Sequence, residues 1–205
     1  MKTELIRYLH GTTTLAFIFR GGIIVSVDSR ASMGSYVGSS KVRKILEISN
    51  NLLGTMAGGA ADCFFWERNL SSLCKIFEIR NNQKLSVAGS SKVLMSMISN
   101  YKNAGLSMGT MILGWDKNGP NIYYVDSEGS RIKIKIISVG SGCLFAYSIL
   151  DSGYNWFTRI NEAIDLGRNA IVQAALNDPY SGGYNNLYLV RSNGWIKIFS
   201  KRIFK

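Results

Sequence analysis

Histidine is almost missing from this chain: among 205 residues, His10 is the only one. That scarcity excludes His-rich zinc sites and two-histidine metal motifs. A Ser-His-Asp or Cys-His enzyme would have to rely on that one imidazole, in a polar segment at the N-terminus. Cysteine is sparse as well. Cys63, Cys74 and Cys143 make an odd set with no C-x-x-C pair, so they read as reduced, buried thiols of the cytosol or nucleus and not as a disulfide framework. Acidic residues are few: 13 Asp and Glu stand against 24 Lys and Arg, for a net charge of +11. Such a charge permits contact with nucleic acid, an anionic membrane or an acidic protein neighbour without choosing among them. No apolar run approaches the roughly 20 residues of a membrane helix. Residues 1–11 carry Lys2, Glu4 and Arg7 where a signal peptide has an apolar centre. Linkers rich in proline, serine or charge are also missing, as are solenoid-length repeats, which leaves a single domain.

What is present is enough for a sizeable core, with 46% apolar and 11% aromatic residues. Thr14–Arg20, the turn Gly21-Gly22 and Ile23–Asp28 form a hairpin pattern. Short strands follow near Lys44–Ile48 and Leu52–Met56. The small-residue run from Ala57 to Ala61 leads into a helix with Cys63, Trp66, Leu70, Leu73 and Phe77 on one face, and a second helix runs from about Ser86 to Lys102 with Val93, Met97 and Tyr101 spaced by four. Thr110–Trp115 and Asn121–Asp126 form another hairpin pattern, and Arg131–Val139 alternates isoleucine with cations as a one-sided strand does. Helices after Gly142 and over Ile160–Asn177 precede strands at Asn186–Val190 and Trp195–Phe199. Helices grouped between antiparallel strands imply two sheets with helices packed outside them.

The chemistry starts at Gly11-Thr12. Lacking a well-placed imidazole, a hydroxyl nucleophile can use the α-amine of its own residue once that residue is a chain terminus, because the unperturbed amine titrates near neutrality. Cutting Gly11–Thr12 would make Thr12 such a residue, and glycine before it tolerates a sharply bent scissile bond. Alone, Gly-Thr is very weak evidence and reads far more readily as a polar lead-in to a strand.

The surrounding motifs decide the matter. Thr12–Phe17, Asp28-Ser29-Arg30-Ala31, Lys41-Val42-Arg43-Lys44-Ile45, Leu53–Cys63, Gly105–Met111, Gly114-Trp115-Asp116-Lys117, Tyr123–Gly129, Ser138–Gly142 and Tyr180-Ser181-Gly182-Gly183 together resemble proteasome β-type subunits, the chymotrypsin-like catalytic type in particular. The motifs run collinearly from Thr12 to about Trp195. The resemblance implies an α+β fold, the N-terminal nucleophile hydrolase fold: a four-layer αββα sandwich of two antiparallel sheets flanked by helices. It divides the chain into a propeptide, residues 1–11, removed by autolysis, and a catalytic domain, residues 12–205.

The same resemblance assigns roles. Thr12 is the nucleophile, Lys44 assists its hydroxyl, and Asp28 holds Lys44. Ser141, Asp178 and Ser181 form a hydrogen-bonding shell around the freed amine, and the Gly58 N–H is the oxyanion donor. Met56, Ala31, Val42, Leu46 and Ala60 line an apolar first pocket that favours cleavage after large hydrophobic residues, while Ser32 and Gly58 hold an extended peptide through their backbones. No metal or cofactor is implied. The implied partners are other α and β subunits in stacked heptameric rings and unfolded polypeptide substrates, without nucleic acid or membrane, in the cytoplasm and nucleus. Four positions depart from the family pattern: Ser32 replaces a usual threonine, Met33 and Gly38 change the surroundings of the outer pockets, and Pro179 after Asp178 removes an N–H and restricts that aspartate. Two other readings are a non-catalytic β subunit, which would typically lack the Gly-Thr junction or the Asp28/Lys44 pair, and a basic nucleic-acid-binding domain, for which no binding motif is present.

Overall fold

The computed structural model describes residues 11–34 and 36–204. His10 and the rest of the segment expected to be the propeptide, other than Gly11, lie outside the described residues. Twelve strands and four helices are present among them. The first sheet contains β1 (Thr13–Phe19), β2 (Gly22–Val27), β10 (Ile136–Gly140), β11 (Tyr184–Arg191) and β12 (Gly194–Arg202), in the order β10-β1-β2-β11-β12. The second contains β5 (Ile45–Ser49), β6 (Leu52–Gly58), β7 (Met108–Asp116), β8 (Gly119–Asp126) and β9 (Arg131–Ile134) in sequence order. All the pairings are antiparallel. A small hairpin, β3 (Ala31–Met33) and β4 (Tyr36–Ser39), stands apart from both sheets.

Alternation along the strands creates three apolar interfaces. One face of each sheet meets the other through Ala16, Val25, Val27, Leu53, Met111 and Leu113. The outer face of the second sheet packs on α1 (Ala60–Asn81) and α2 (Val87–Ser99) through Leu52, Met56, Leu70, Leu94 and Ile112. The outer face of the first sheet packs on α3 (Cys143–Gly153) and α4 (Ile160–Asn177) through Leu15, Phe17, Ala146, Ile171 and Leu187. The result is the αββα sandwich expected from the order of elements, since each sheet has two apolar faces to cover.

Three sequence readings differ from the structure. Arg131–Val139 is two strands in two sheets: β9 pairs with β8, and β10 pairs with β1. The chain changes sheets at Lys135, whose carbonyl accepts from the Ile18 N–H at 2.9 Å, so no common face survives and Ile132 is exposed. On α1 the buried face is Cys63, Trp66, Glu67, Leu70 and Cys74, whereas Leu73 and Phe77 are exposed; an acid on the inner stripe hid the true face. On α2 the buried stripe is Val87, Ser90, Ser91, Leu94 and Ile98, with Val93 and Met97 on its flank and Tyr101 beyond the helix end. The β3–β4 hairpin had no sequence signal, because neither strand is long enough to show a period.

Candidate active site

The site forms where the two sheets open at the start of β1. Thr12 precedes β1, Asp28 follows β2, Lys44 precedes β5, and Asp178 is the C-cap of α4. Four segments distant in sequence therefore end at one place. All four residues are buried.

Asp28 organises the cluster. Its Oδ1 accepts from Lys44 Nζ at 2.6 Å and from the Thr13 N–H at 3.0 Å. Its Oδ2 accepts from the Gly182 N–H at 2.9 Å and the Arg30 N–H at 3.2 Å. The carboxylate is thus fully satisfied, as a buried charge must be. Burial pushes the Lys44 ammonium below its ordinary value, and Asp28 opposes that shift. A lysine shifted in that direction gives up its proton more readily than a solvated one.

Both candidate reacting groups converge on one atom. Thr12 Oγ1 donates to the Gly11 carbonyl oxygen at 2.7 Å, and Lys44 Nζ donates to the same oxygen at 3.4 Å. Gly11 is fixed there by close approach: a Cβ would lie 1.8 Å from Cβ of Tyr180, so no side chain fits at this junction.

The third group surrounds the Thr12 nitrogen. Thr12 N–H donates to Ser141 Oγ at 3.3 Å, and Ser141 donates to Asp178 Oδ2 at 2.5 Å. Ser181 donates to the same oxygen at 2.6 Å. Its single proton is then committed, so the 2.7 Å contact with Thr13 Oγ1 is donated by the threonine. Pro179 is accommodated: Asp178 is extended, as a residue before proline prefers, and the Tyr180 N–H folds back to Asp178 Oδ1 at 3.1 Å.

A cavity of about 40 Å³ adjoins Thr12, lined by Ala31, Ser32, Val42, Met56, Gly58 and Ala60 together with Gly11, Thr12, Arg30 and Lys44. Every pocket residue named from the sequence is therefore on it except Leu46. That side chain instead packs into the core cluster that contains Met56, because it is the β5 partner of Gly54, further from the cleft. With Gly11 in place the cavity is too small for a large side chain unless Met56 swings aside, which an unbranched thioether permits. A larger cleft of about 520 Å³ lies behind the segment Lys41–Ile45. It shares Val42 and Lys44 but not Thr12, so the chemistry belongs to the smaller one.

Gly58 is in place without yet acting as a donor to Gly11. Its φ of +97° needs glycine, and a Cβ would meet the Ser107 carbonyl at 2.7 Å. Among the described residues, the Gly11 oxygen is held by Thr12 and Lys44 rather than by the Gly58 N–H. Sequence reasoning passed over three contributors: the Thr13 N–H and hydroxyl, the Gly182 N–H, and Arg30, whose guanidinium donates to the Pro179 carbonyl at 2.9 Å. All three lie inside motifs already quoted; the two backbone N–H groups leave no mark on residue type, and the Thr13 hydroxyl and Arg30 guanidinium find their partners only in the fold. No group of three His, Cys, Asp or Glu side chains among the described residues is placed to hold a metal ion.

Comparison with known proteins agrees with this geometry. Residues 8–190 match the family described as Proteasome subunit. The chain is 53% identical over 200 residues to proteasome subunit beta type-5 of Dictyostelium discoideum, covering 98% of this chain and 74% of that protein. It is 54% identical over 195 residues to proteasome subunit beta type-5 of Gallus gallus, covering 95% and 76%. Against proteasome subunit beta type-8 of Homo sapiens it is 50% identical over 195 residues, covering 95% and 71%.

Proposed function

This chain belongs to the proteasome subunit family, and on that premise we propose that it is a beta type-5 catalytic subunit of the 20S core whose nucleophile is the Thr12 hydroxyl. It is a threonine endopeptidase that assembles with other proteasome subunits. The observation that carries the assignment of Thr12 is the convergence of Thr12 Oγ1 and Lys44 Nζ on the Gly11 carbonyl oxygen.

The chemistry runs in two stages. In the first, the Thr12 hydroxyl attacks the Gly11 carbonyl carbon, Lys44 on the carbonyl oxygen favours the negative charge that develops there, and the hydroxyl proton leaves for the scissile nitrogen. The C–N bond breaks, the nitrogen receives a proton, and residues 1–11 are held as an ester on Oγ1. Water hydrolyses that ester and releases them, leaving residues 12–205 with a free α-amine. That amine already sits on Ser141 and, through it, on Asp178, so the shell needs no rebuilding. In the second stage the amine relays the proton as Oγ1 attacks a substrate peptide bond, with the Gly58 N–H as the donor to the developing oxyanion. The apolar lining by Val42, Met56 and Ala60 supports cleavage of unfolded polypeptides after large hydrophobic residues. Stacked heptameric rings of α and β subunits, in cytoplasm and nucleus, are the setting this reading expects. A non-catalytic subunit has no use for a threonine hydroxyl and a buried lysine sharing one carbonyl.

N-terminal sequencing of the purified, assembled particle tests the assignment. The expected first residue is Thr12, and Thr12→Ala is expected to keep residues 1–11 and to lose hydrolysis by a factor of at least about 10⁴, the scale of deleting a nucleophile. A particle that cleaves peptides while retaining residues 1–11 would overturn it.

A further inference from the structure

Glu67 is the outlier of the core. It is fully buried on the inner face of α1, and neither of its carboxyl oxygens has a hydrogen-bond partner among the described residues. The Thr110 hydroxyl stands beside it, outside hydrogen-bond geometry but near enough to favour the charged form against the larger effect of burial. Its position explains what it touches. The helix runs down β6: Cys63 Sγ donates to the Ala57 carbonyl at 3.4 Å, and one turn later Glu67 lies over Gly54. A Cβ at Gly54 would stand 2.7 Å from Glu67 Oε2 and 2.9 Å from its carboxyl carbon, so the acid fills the notch that glycine leaves. Gly54 and Met56 share one face of β6, and Thr110 is the cross-strand partner of Met56. The carboxyl group therefore sits behind the apolar wall of the pocket beside Thr12. The helix that carries it begins at Ala60, on the rim of the same pocket.

We propose that Glu67 is a positioning residue for the specificity pocket: its carboxyl group keys α1 into the Gly54 notch of β6 and so sets Met56 and Ala60 at the separation a large apolar side chain needs. The proposal rests on the reading of the Thr12 cleft as a peptidase site. The elements around Glu67 bring no charge to it. Gly54 comes from β6, the Thr110 hydroxyl from β7 and the Cys63 thiol from α1 itself, and no charged side chain among the described residues acts on it. Burial pushes the Cys63 thiol up to about 12, so it stays neutral. Burial also pushes the Glu67 acid up to about 8. Below that pH the group is neutral and the key holds. Above it, an unpaired charge forms among Met56, Cys63, Trp66 and Leu70, and the strain is relieved by parting α1 from β6. Substrate affinity then falls, while the Thr12 cluster, built on other elements, keeps its turnover.

The test uses the assembled particle with its other peptidase subunits inactivated and a fluorogenic peptide carrying Tyr before the cut. KM and kcat are measured from about pH 7 to about pH 9.5, spanning the raised titration. In the wild type KM is expected to rise at least about threefold, with kcat free of that step. Glu67→Gln, of the same shape but never charged, is expected to hold KM flat. Gly54→Ala, which closes the notch, is expected to raise KM already at neutral pH. A flat wild-type KM, or the same rise in Glu67→Gln, overturns the proposal. If the Gln variant does not assemble, the wild-type curve and Gly54→Ala decide it: both raised KM values support the key, and a normal KM in either overturns it. Hydrolysis that persists with a flat KM removes only the role of Glu67, whereas hydrolysis that survives Thr12→Ala removes the reading on which it rests.

Discussion

Asp28 and Glu67 are both acids with 0% exposure, and they could hardly be treated more differently. Asp28 receives two backbone N–H groups on one oxygen, and a third N–H together with a lysine on the other. Glu67 has no hydrogen-bond partner in geometry among the described residues, only the Thr110 hydroxyl nearby, and is packed on the apolar side of α1. The difference separates the two walls of the cleft. One wall, from Thr12 through Asp28 and Lys44 to Asp178, is held by polar partners that fix charge and protons. The other, from Gly54 through Met56 to Ala60, is held by packing and fixes shape. Damage to the first wall should cost turnover and spare selectivity, and damage to the second should do the reverse.

The sharpest break in that contrast comes from the ion pair. Lys44→Ala leaves Asp28 buried with one oxygen short of its cation, and Asp28→Asn leaves Lys44 buried without its counterion. Removing one partner of a buried pair costs about 3–5 kcal/mol. Expressed in the transition state, that is a fall in kcat of about 10²–10⁴, with slow or absent processing at Gly11–Thr12. The ratio of rates for Leu and Asp substrates should be unchanged. A Lys44→Ala particle with near-normal kcat would make the pair structural and the contrast false.

Legibility in the sequence follows the same division. The polar wall was readable because its members, Thr12, Asp28, Lys44, Ser141, Asp178 and Ser181, are residue types with chemistry to declare, set in collinear motifs. Their convergence needed the fold, since Thr12 and Ser181 are far apart in the chain. The sandwich itself was readable from long alternating or four-spaced runs such as β1 and α4. The packing wall was only half readable. Met56, Val42 and Ala60, named through resemblance, line the cavity, whereas Leu46 packs beside the cluster of Met56 just off it, a distinction of register along β5 and β6 that is invisible in sequence. Glu67 was missed for a physical reason: an acid in a helix reads as solvent-facing unless a glycine notch receives it.

Next in size is a charge placed on the packing wall. Met56 is buried on the cavity lining, whose two cations are already engaged, Lys44 with Asp28 and Arg30 with the Pro179 carbonyl. In the wild type, peptides with Leu, Tyr or Phe before the cut should exceed those with Asp by about 10²-fold or more in kcat/KM, since burying an unpaired charge costs several kcal/mol. Met56→Arg should remove most of that preference and admit acidic side chains, while residues 1–11 are still released. Processing is the control, because Gly11 brings no side chain to the pocket. Equal wild-type rates for Leu and Asp would remove Met56 from the pocket and leave Thr12 standing.

The smallest expected effect lies at the edge of the packing wall. In β3, Ala31 lines the cavity, Ser32 turns inward to donate to the Tyr180 carbonyl at 3.3 Å, and Met33 returns to the side of Ala31. Two residues of strand advance about 6.6–6.8 Å. A peptide extended alongside β3 repeats at the same interval, so the side chain two positions before the one in the pocket meets Met33. The register shift in this hairpin leaves Gly38 as the extra residue of β4. A Cβ there would lie 3.7 Å from the Met33 sulfur, so Met33 spreads over the bare glycine and makes an apolar shelf. Met33 is 48% exposed, which leaves about half its surface for a substrate to cover. That is worth about 1 kcal/mol, or about fivefold in KM for an apolar over a polar residue at that position. Met33→Ala should erase the fivefold preference without changing kcat or the first-pocket ratio, and a peptide series varied at that one position measures it. An unchanged preference in Met33→Ala would place the outer side chain elsewhere, on a neighbouring subunit, and would end the packing wall at Ala31.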